Sequence, residues 1–165
     1  MRHTISVLLQ NEAGALARVA GLFSARGYNI ESLSVAPTND VTVSRLTLVT
    51  TGTDAVIAQI NQQLSKLVDV VALLDLTAEE RFARELLLLK VQAEGEQRNS
   101  VRDLVTEFHA RVLEDTDTTY TVQLAGTSDE IDSFIAAAQS ITEILEVVRS
   151  GVAAIERGKN SLTIS

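Results

Sequence analysis

The chain contains no cysteine and no tryptophan among its 165 residues, which excludes disulfides, thiol nucleophiles and cysteine-based zinc sites. Histidine occurs only at His3 and His109, and proline only at Pro37. Ser6, Ser24, Ser32, Ser34 and Ser44 therefore lack a positioned base, and neither histidine lies in a nucleophile-elbow context. Phosphate-binding loops of the Walker or dinucleotide type are absent, and no cluster has metal-ligand spacing. No catalytic residue and no metal site are expected. Basic residues number 14 against 22 acidic ones, for a formal charge of −8. Nucleic acid and anionic membrane are thereby excluded as partners, because phosphate binding needs a concentrated basic surface. No apolar run approaches the ~18–20 residues of a membrane span. Met1-Arg2-His3-Thr4-Ile5 runs directly into alternating structure without an export-signal pattern. A cytoplasmic, acidic, soluble protein is expected.

With 45% hydrophobic and 22% charged residues, the chain can bury a core. Its patterning alternates between period 2 and period 3.6. His3 to Leu9 reads as a strand, and Leu16, Val19, Ala20 and Phe23 mark a helix ending near Gly27. Tyr28–Val35 and Val41–Thr50 read as strands joined by the turn residues 36–40, a hairpin. A helix carrying Val56, Ile57, Ile60 and Leu64 follows Thr53-Asp54, and Val68–Leu76 closes a βαββαβ unit. The order then recurs. Leu86–Leu89 with Val91 reads as a strand; Val101, Leu104, Val105 and Phe108 mark a helix; Ala110–Leu113 and Tyr120–Ala125 are strands. Thr127 and Glu130 have capping-box spacing ahead of Ile131, Phe134, Ile135 and Ala138, and Ile144–Val148 is the last strand. His109, after Phe108, falls at a helix end, where a cation suits the dipole.

The expected fold is α+β, two ferredoxin-like βαββαβ modules in tandem. The division is 1–76, a charged stretch 77–83 that reads as a linker or a short helix, a second module 84–158 and a tail 159–165. Modules this small are marginal alone, so pairing across sheet edges or helix faces is expected.

One joint can hold a small anion. Asn11-Glu12-Ala13-Gly14-Ala15-Leu16 lies where the first strand meets the first helix. A helix start leaves backbone N–H groups unpaired and carries the positive end of the dipole. The amides of Ala13, Gly14, Ala15 and Leu16 could hold a carboxylate, with Gly14 allowing close approach; equally, Asn11 could be a cap and Gly14 a bend. Asn29 can bind an ammonium or a carboxylate, or satisfy a strand end. In the second half the matching joint, Val91 to Glu96, places Glu94 and Glu96 where an anion would need to sit.

Residues 11–16, then Phe23-Ser24-Ala25-Arg26-Gly27-Tyr28-Asn29-Ile30-Glu31-Ser32-Leu33 and Val35-Ala36-Pro37-Thr38, resemble the small regulatory subunits of acetolactate synthase. Arg84–Val91, Tyr120–Leu124 and Glu146–Gly151 extend the resemblance through the second half. It covers about residues 2 to 158. The resemblance implies an N-terminal ACT domain that binds an amino acid and forms a homodimer with a second copy. It implies a partner, the large catalytic subunit, whose cofactors are thiamine diphosphate, Mg²⁺ and FAD, with none on this chain. The partner would condense pyruvate with a second 2-oxo acid. The small subunit would activate it and confer feedback inhibition by valine, in some members also by leucine or isoleucine. The implied effector-binding set is Asn11, Ala13, Gly14, Ala15, Leu16, Asn29 and Ile30, with Asn29 reaching in from the second copy. Ala17 departs from a hydroxyl residue common in relatives, so no side-chain contact is carried over there. The competing readings are a free-standing amino-acid-sensing ACT module and a small self-contained enzyme; a sensor would not need the matches in the second half.

Overall fold

The computed structural model describes residues 1–164; the last residue of the expected tail, Ser165, lies outside the described residues. The chain divides into two compact units, Met1–Phe82 with the segment from Val152 onward, and Ala83–Gly151.

In the first unit the elements are β1 (Arg2–Gln10), α1 (Ala15–Ala25), β2 (Ile30–Pro37), β3 (Val43–Thr51), α2 (Asp54–Leu64) and β4 (Val70–Asp75). The sheet is antiparallel in the order β2-β3-β1-β4. Alternation places Ile5, Val7, Leu9, Leu46 and Leu48 on one face, where they meet Val19 and Phe23 of α1 and Ile57, Ile60 and Leu64 of α2. Thr53 caps α2 by accepting from the Val56 N–H at 3.3 Å. β2 starts two residues later than the patterning suggests. Gly27 has φ 70, and the Tyr28 N–H donates back to the Phe23 carbonyl at 3.0 Å, so Tyr28 ends the helix rather than opening the strand.

The second face of this sheet is also buried, which simple alternation did not suggest. Ser6 is fully buried, as are Thr4, Leu8, Thr47 and Val49 to within a few per cent. Part of the cover is the C-terminal segment: the Val152 N–H donates to Ser32 Oγ at 2.9 Å, and Arg45 donates to the Ala154 carbonyl at 2.9 Å.

In the second unit, β5 (Arg81–Gln92), α3 (Gly95–Glu107), β6 (Arg111–Asp115), β7 (Thr119–Gly126), α4 (Ser128–Ile141) and β8 (Ile144–Arg149) repeat the plan. The order β6-β7-β5-β8 matches that of the first sheet. Leu87, Leu89, Val91, Val122 and Leu124 pack against Leu104, Val105, Ile131 and Phe134, and Phe108 meets Phe134 edge-on at 5.2 Å. The capping box is formed, with Thr127 and Glu130 each satisfying the other's backbone N–H at 2.9 and 3.2 Å. His109 sits just past the C-cap of α3 in the left-handed region, φ 56, a position more often held by glycine.

Two stretches differ from the sequence reading. Residues 77–80 are irregular, but Arg81–Ala83 already belong to β5, so the stretch 77–83 is neither a linker throughout nor a helix. Residues 152–158, read with the second module, carry β9 (Ala153–Glu156), which pairs with β5, and group by compactness with the first unit. A four-residue strand after a glycine carries too little periodicity to be read alone.

Candidate functional site

β1 ends in a tight connection to α1. The Gln10 N–H donates to the Asp69 carbonyl at 2.8 Å and the Asn11 N–H to the Thr42 carbonyl at 2.7 Å. The Asn11 side-chain amide donates to the Val41 carbonyl at 2.9 Å, lacing the connection to the β2–β3 hairpin. Glu12 N–H turns back on Gln10, and Gly14, the N-cap of α1, stands at φ 85 with no side-chain cap. Only glycine adopts this conformation without strain.

The absence of a cap matters because the first helical turn leaves donors without intrahelical acceptors. The Ala15 N–H meets the Glu12 carbonyl at 3.3 Å, a long contact, while Gly14, Leu16 and Ala17 contribute the other amides of this end. No acidic residue lies in the first turn of α1. The Arg18 guanidinium lies here as well, close enough that a Cβ at Gly14 would stand 2.8 Å from its Nη1. The helix end thus combines free amides with a guanidinium whose charge is met from outside α1, by Asp69 and Glu12.

Arg18 is fixed by Asp69, to which its Nε and Nη2 both donate, the latter at 3.0 Å. Asp69 is buried. The hydrogen bond from Arg18 holds the Asp69 carboxyl below the usual carboxylate range, burial opposing and the arginine charge assisting. Because the unfolded chain takes up this proton at a higher pH than the folded one, the contribution is complete near neutrality and fades as pH falls below about 4. Asp69→Asn is expected to lower stability at pH 7 and to flatten its decline between pH 5 and 3. Urea unfolding across that range checks this; a variant as acid-sensitive as the parent would contradict it.

Beside the helix start is a cavity of about 240 Å³, lined by Leu9, Asn11, Ala15, Leu16, Val35 and Ala36 among others. It is mostly apolar and smaller than the clefts of ~300–1,000 Å³ that take drug-sized ligands. Of the expected residues, Asn11, Ala15 and Leu16 line it, while Ala13 and Gly14 form the turn beside it. Asn29 and Ile30 do not reach it within one chain. Ile30 pairs with Thr50, at the far end of β2 from Pro37, which pairs with Ser44. The Asn29 carbonyl accepts from Thr50 Oγ1 at 2.6 Å. Arg18 and Asp69 escaped the sequence reading because their 51-residue separation carries no local signal.

The equivalent joint in the second unit is built otherwise. Glu94 is the N-cap of α3 and Glu96 lies in its first turn. Arg98 turns away, donating to the Ala93 and Thr116 carbonyls at 3.1 and 2.7 Å. A carboxylate ligand is disfavoured there.

Two tandem ferredoxin-like units, the first with an uncapped helix start beside a small cavity, are the architecture of a protein with an ACT domain. Residues 5–72 match the AHAS small subunit-like ACT domain, and residues 84–158 match the small subunit of acetolactate synthase. The acetolactate synthase isozyme 3 small subunit of Salmonella typhimurium is 51% identical over 96% of this chain and 97% of its own length. That of Escherichia coli is 50% identical over the same shares, 96% and 97%. The crystal structure of the acetolactate synthase small subunit from Thermotoga maritima superposes with a TM-score of 0.86 at 31% identity, covering 97% of this chain and 99% of that one. The chain belongs to the acetolactate synthase small-subunit family. No helix among the described residues is long and apolar enough to cross a membrane.

Proposed function

We propose that this chain activates a separate acetolactate synthase catalytic subunit and makes it subject to feedback inhibition by valine. The uncapped start of α1 beside an apolar cavity carries this reading. The amino-acid carboxylate takes the amides around Gly14 to Leu16, with Arg18 adding positive charge, and the isopropyl group packs on Leu9, Leu16 and Val35. Asn11 closes the polar end.

The effector site needs two copies. β2 is an edge strand, and an edge with unpaired N–H and C=O groups is a template for pairing. Antiparallel pairing of two β2 strands sets the Ile30 end of one against the Pro37 end of the other, bringing Asn29 and Ile30 of the second copy to the cavity. The chain does no chemistry itself: thiamine diphosphate, Mg²⁺ and FAD act on the catalytic subunit.

Mixing the purified chain with candidate catalytic subunits, with and without valine, tests this. The chain alone forms no acetolactate from pyruvate with thiamine diphosphate and Mg²⁺; added to its partner it raises the rate, and valine lowers that rate. A chain that binds valine but alters no catalytic subunit would be a free-standing sensor, and the proposal would fail.

A further inference from the structure

We propose that the first unit holds a second small-molecule site, at the opposite end of β1 from Gly14, that takes a primary ammonium group. His3 carries the inference. Its side chain is 6% exposed, yet neither ring nitrogen has a hydrogen-bond partner among the described residues. Buried polar atoms are almost always satisfied, so an orphaned pair calls for an explanation. Both nitrogens face carboxylates without reaching them: Nε2 lies 3.5 Å from Asp54 Oδ1 and Nδ1 lies 3.7 Å from Asp75 Oδ2.

These groups line a cleft of about 370 Å³ between α2 and the β1–β4 edge, whose apolar wall includes Ile57 and Ala58. Asn61 lines the same cleft, and its Oδ1 is a third buried atom without a partner. The Asn61 amide donates to Asp75 Oδ2 at 3.5 Å, turning its carbonyl oxygen free. The inventory is thus lopsided. Two carboxylates and the Asn61 carbonyl oxygen accept around the imidazole, while the terminal ammonium of Met1, which also lines the cleft, donates to the Gly52 carbonyl at 3.2 Å.

The complement of such a site is a cation with several N–H donors and a short apolar body. A primary ammonium has three donors to set against Asp75, Asn61 Oδ1 and His3, and its alkyl chain would lie on Ile57 and Ala58. A metal ion is the poorer fit, since no three histidine or acidic groups among the described residues converge as ligands. An amino acid such as valine fits poorly too, because its carboxylate would face Asp54 and Asp75. The site is separate from the effector cavity: His3 and Asn11 are eight residues apart on or beside β1, about 25 Å at ~3.3 Å per residue.

The test is a titration of the full-length ¹⁵N-labelled chain with n-butylammonium chloride, following the imidazole resonances, with tetramethylammonium chloride as the cation that has no N–H. The chain has only two histidines, so His109 serves as the internal reference. Saturable change at His3, absent at His109 and absent with tetramethylammonium, is expected. Asp75→Asn, which keeps an oxygen for the Thr77 N–H now bonded at 2.9 Å, is expected to raise the half-saturating concentration at least about tenfold. If that variant fails to fold, Asp54→Asn, at an exposed side chain, is expected to weaken binding in the same direction. No saturable change in the parent, an equal response to tetramethylammonium, or unchanged half-saturation in a folded variant would each overturn the site.

Discussion

Gly14→Asp is expected to abolish valine inhibition of the reconstituted enzyme while leaving its activation in place. Position 14 is the N-cap of α1, and aspartate is among the side chains that accept from the orphan amides of a helix start. The new carboxylate would therefore take the donors proposed for the effector, with Arg18 Nη1 near the new Cβ as a further partner. It would also repel the effector's carboxylate by ~1 kcal/mol at about 4 Å in water, and by more in the drier cavity. Lost hydrogen bonds add to this, so half-inhibition should need at least about tenfold more valine. Aspartate tolerates φ 85 better than most residues, though with strain and a shift of Arg18, whose Nη1 would stand 2.8 Å from the new Cβ, so the fold of the variant is checked by circular dichroism. Gly14→Asn serves as the neutral control, with a smaller effect expected. Inhibition curves of the reconstituted complex decide the matter, and unchanged valine sensitivity in Gly14→Asp would remove the helix start from the site.

What could be read from the residues, and what could not, follows the range of the interactions involved. The two βαββαβ units were legible because alternation and the i, i+3, i+4, i+7 spacing are local. The caps at Thr53 and Thr127 were legible for the same reason. The turn at 11–16 stood open to two readings, an anion site or a cap with a bend, because glycine recurs where strands meet helices, as at Gly52 and Gly126. Long-range pairings were silent. Nothing near Arg18 announces Asp69, and nothing near His3 announces a cleft shared with Asn61 and Asp75. One clue to the doubly covered sheet was present. Val7, Leu8 and Leu9 run without a polar break, and a strand apolar on both sides is a strand buried on both faces.

That second cover leads to the other large effect. Ending the chain after Gly151 is expected to destabilise the first unit and to strip β9 from β5, while the core of the second unit, to which this segment contributes nothing, stays folded. The lost segment includes Val152 and Ala154, which are 5% and 7% exposed. It also removes the hydrogen bonds from Val152 to Ser32, from Arg45 to Ala154 and from the Arg157 N–H to the Glu80 carbonyl. The guanidinium of Arg157 no longer lies over the Phe82 ring, now at 4.5 Å. Burial of a valine side chain is worth ~1.5–3 kcal/mol and each hydrogen bond ~0.5–1.5 kcal/mol, so with three such bonds the loss should be about 3–7 kcal/mol. That is a large share of a small domain's total stability. The same reasoning changes how the two units must be dissected. A fragment ending at Leu76 lacks this cover, so its failure to bind valine would reflect an exposed sheet rather than a need for the second unit. The sound comparison keeps residues 152–165 and replaces 83–151 by a flexible linker; that form is expected to bind valine in calorimetry yet confer no valine sensitivity. Each unit has its own reporter, since the two tyrosines of the chain are Tyr28 and Tyr120. Hydrogen exchange in β1 and β3 should accelerate in the chain ended at Gly151, as should that of the part of β5 that β9 pairs, with β7 unchanged. Unaltered protection in β1 would mean that residues beyond Gly151 contribute nothing to the sheet they cover.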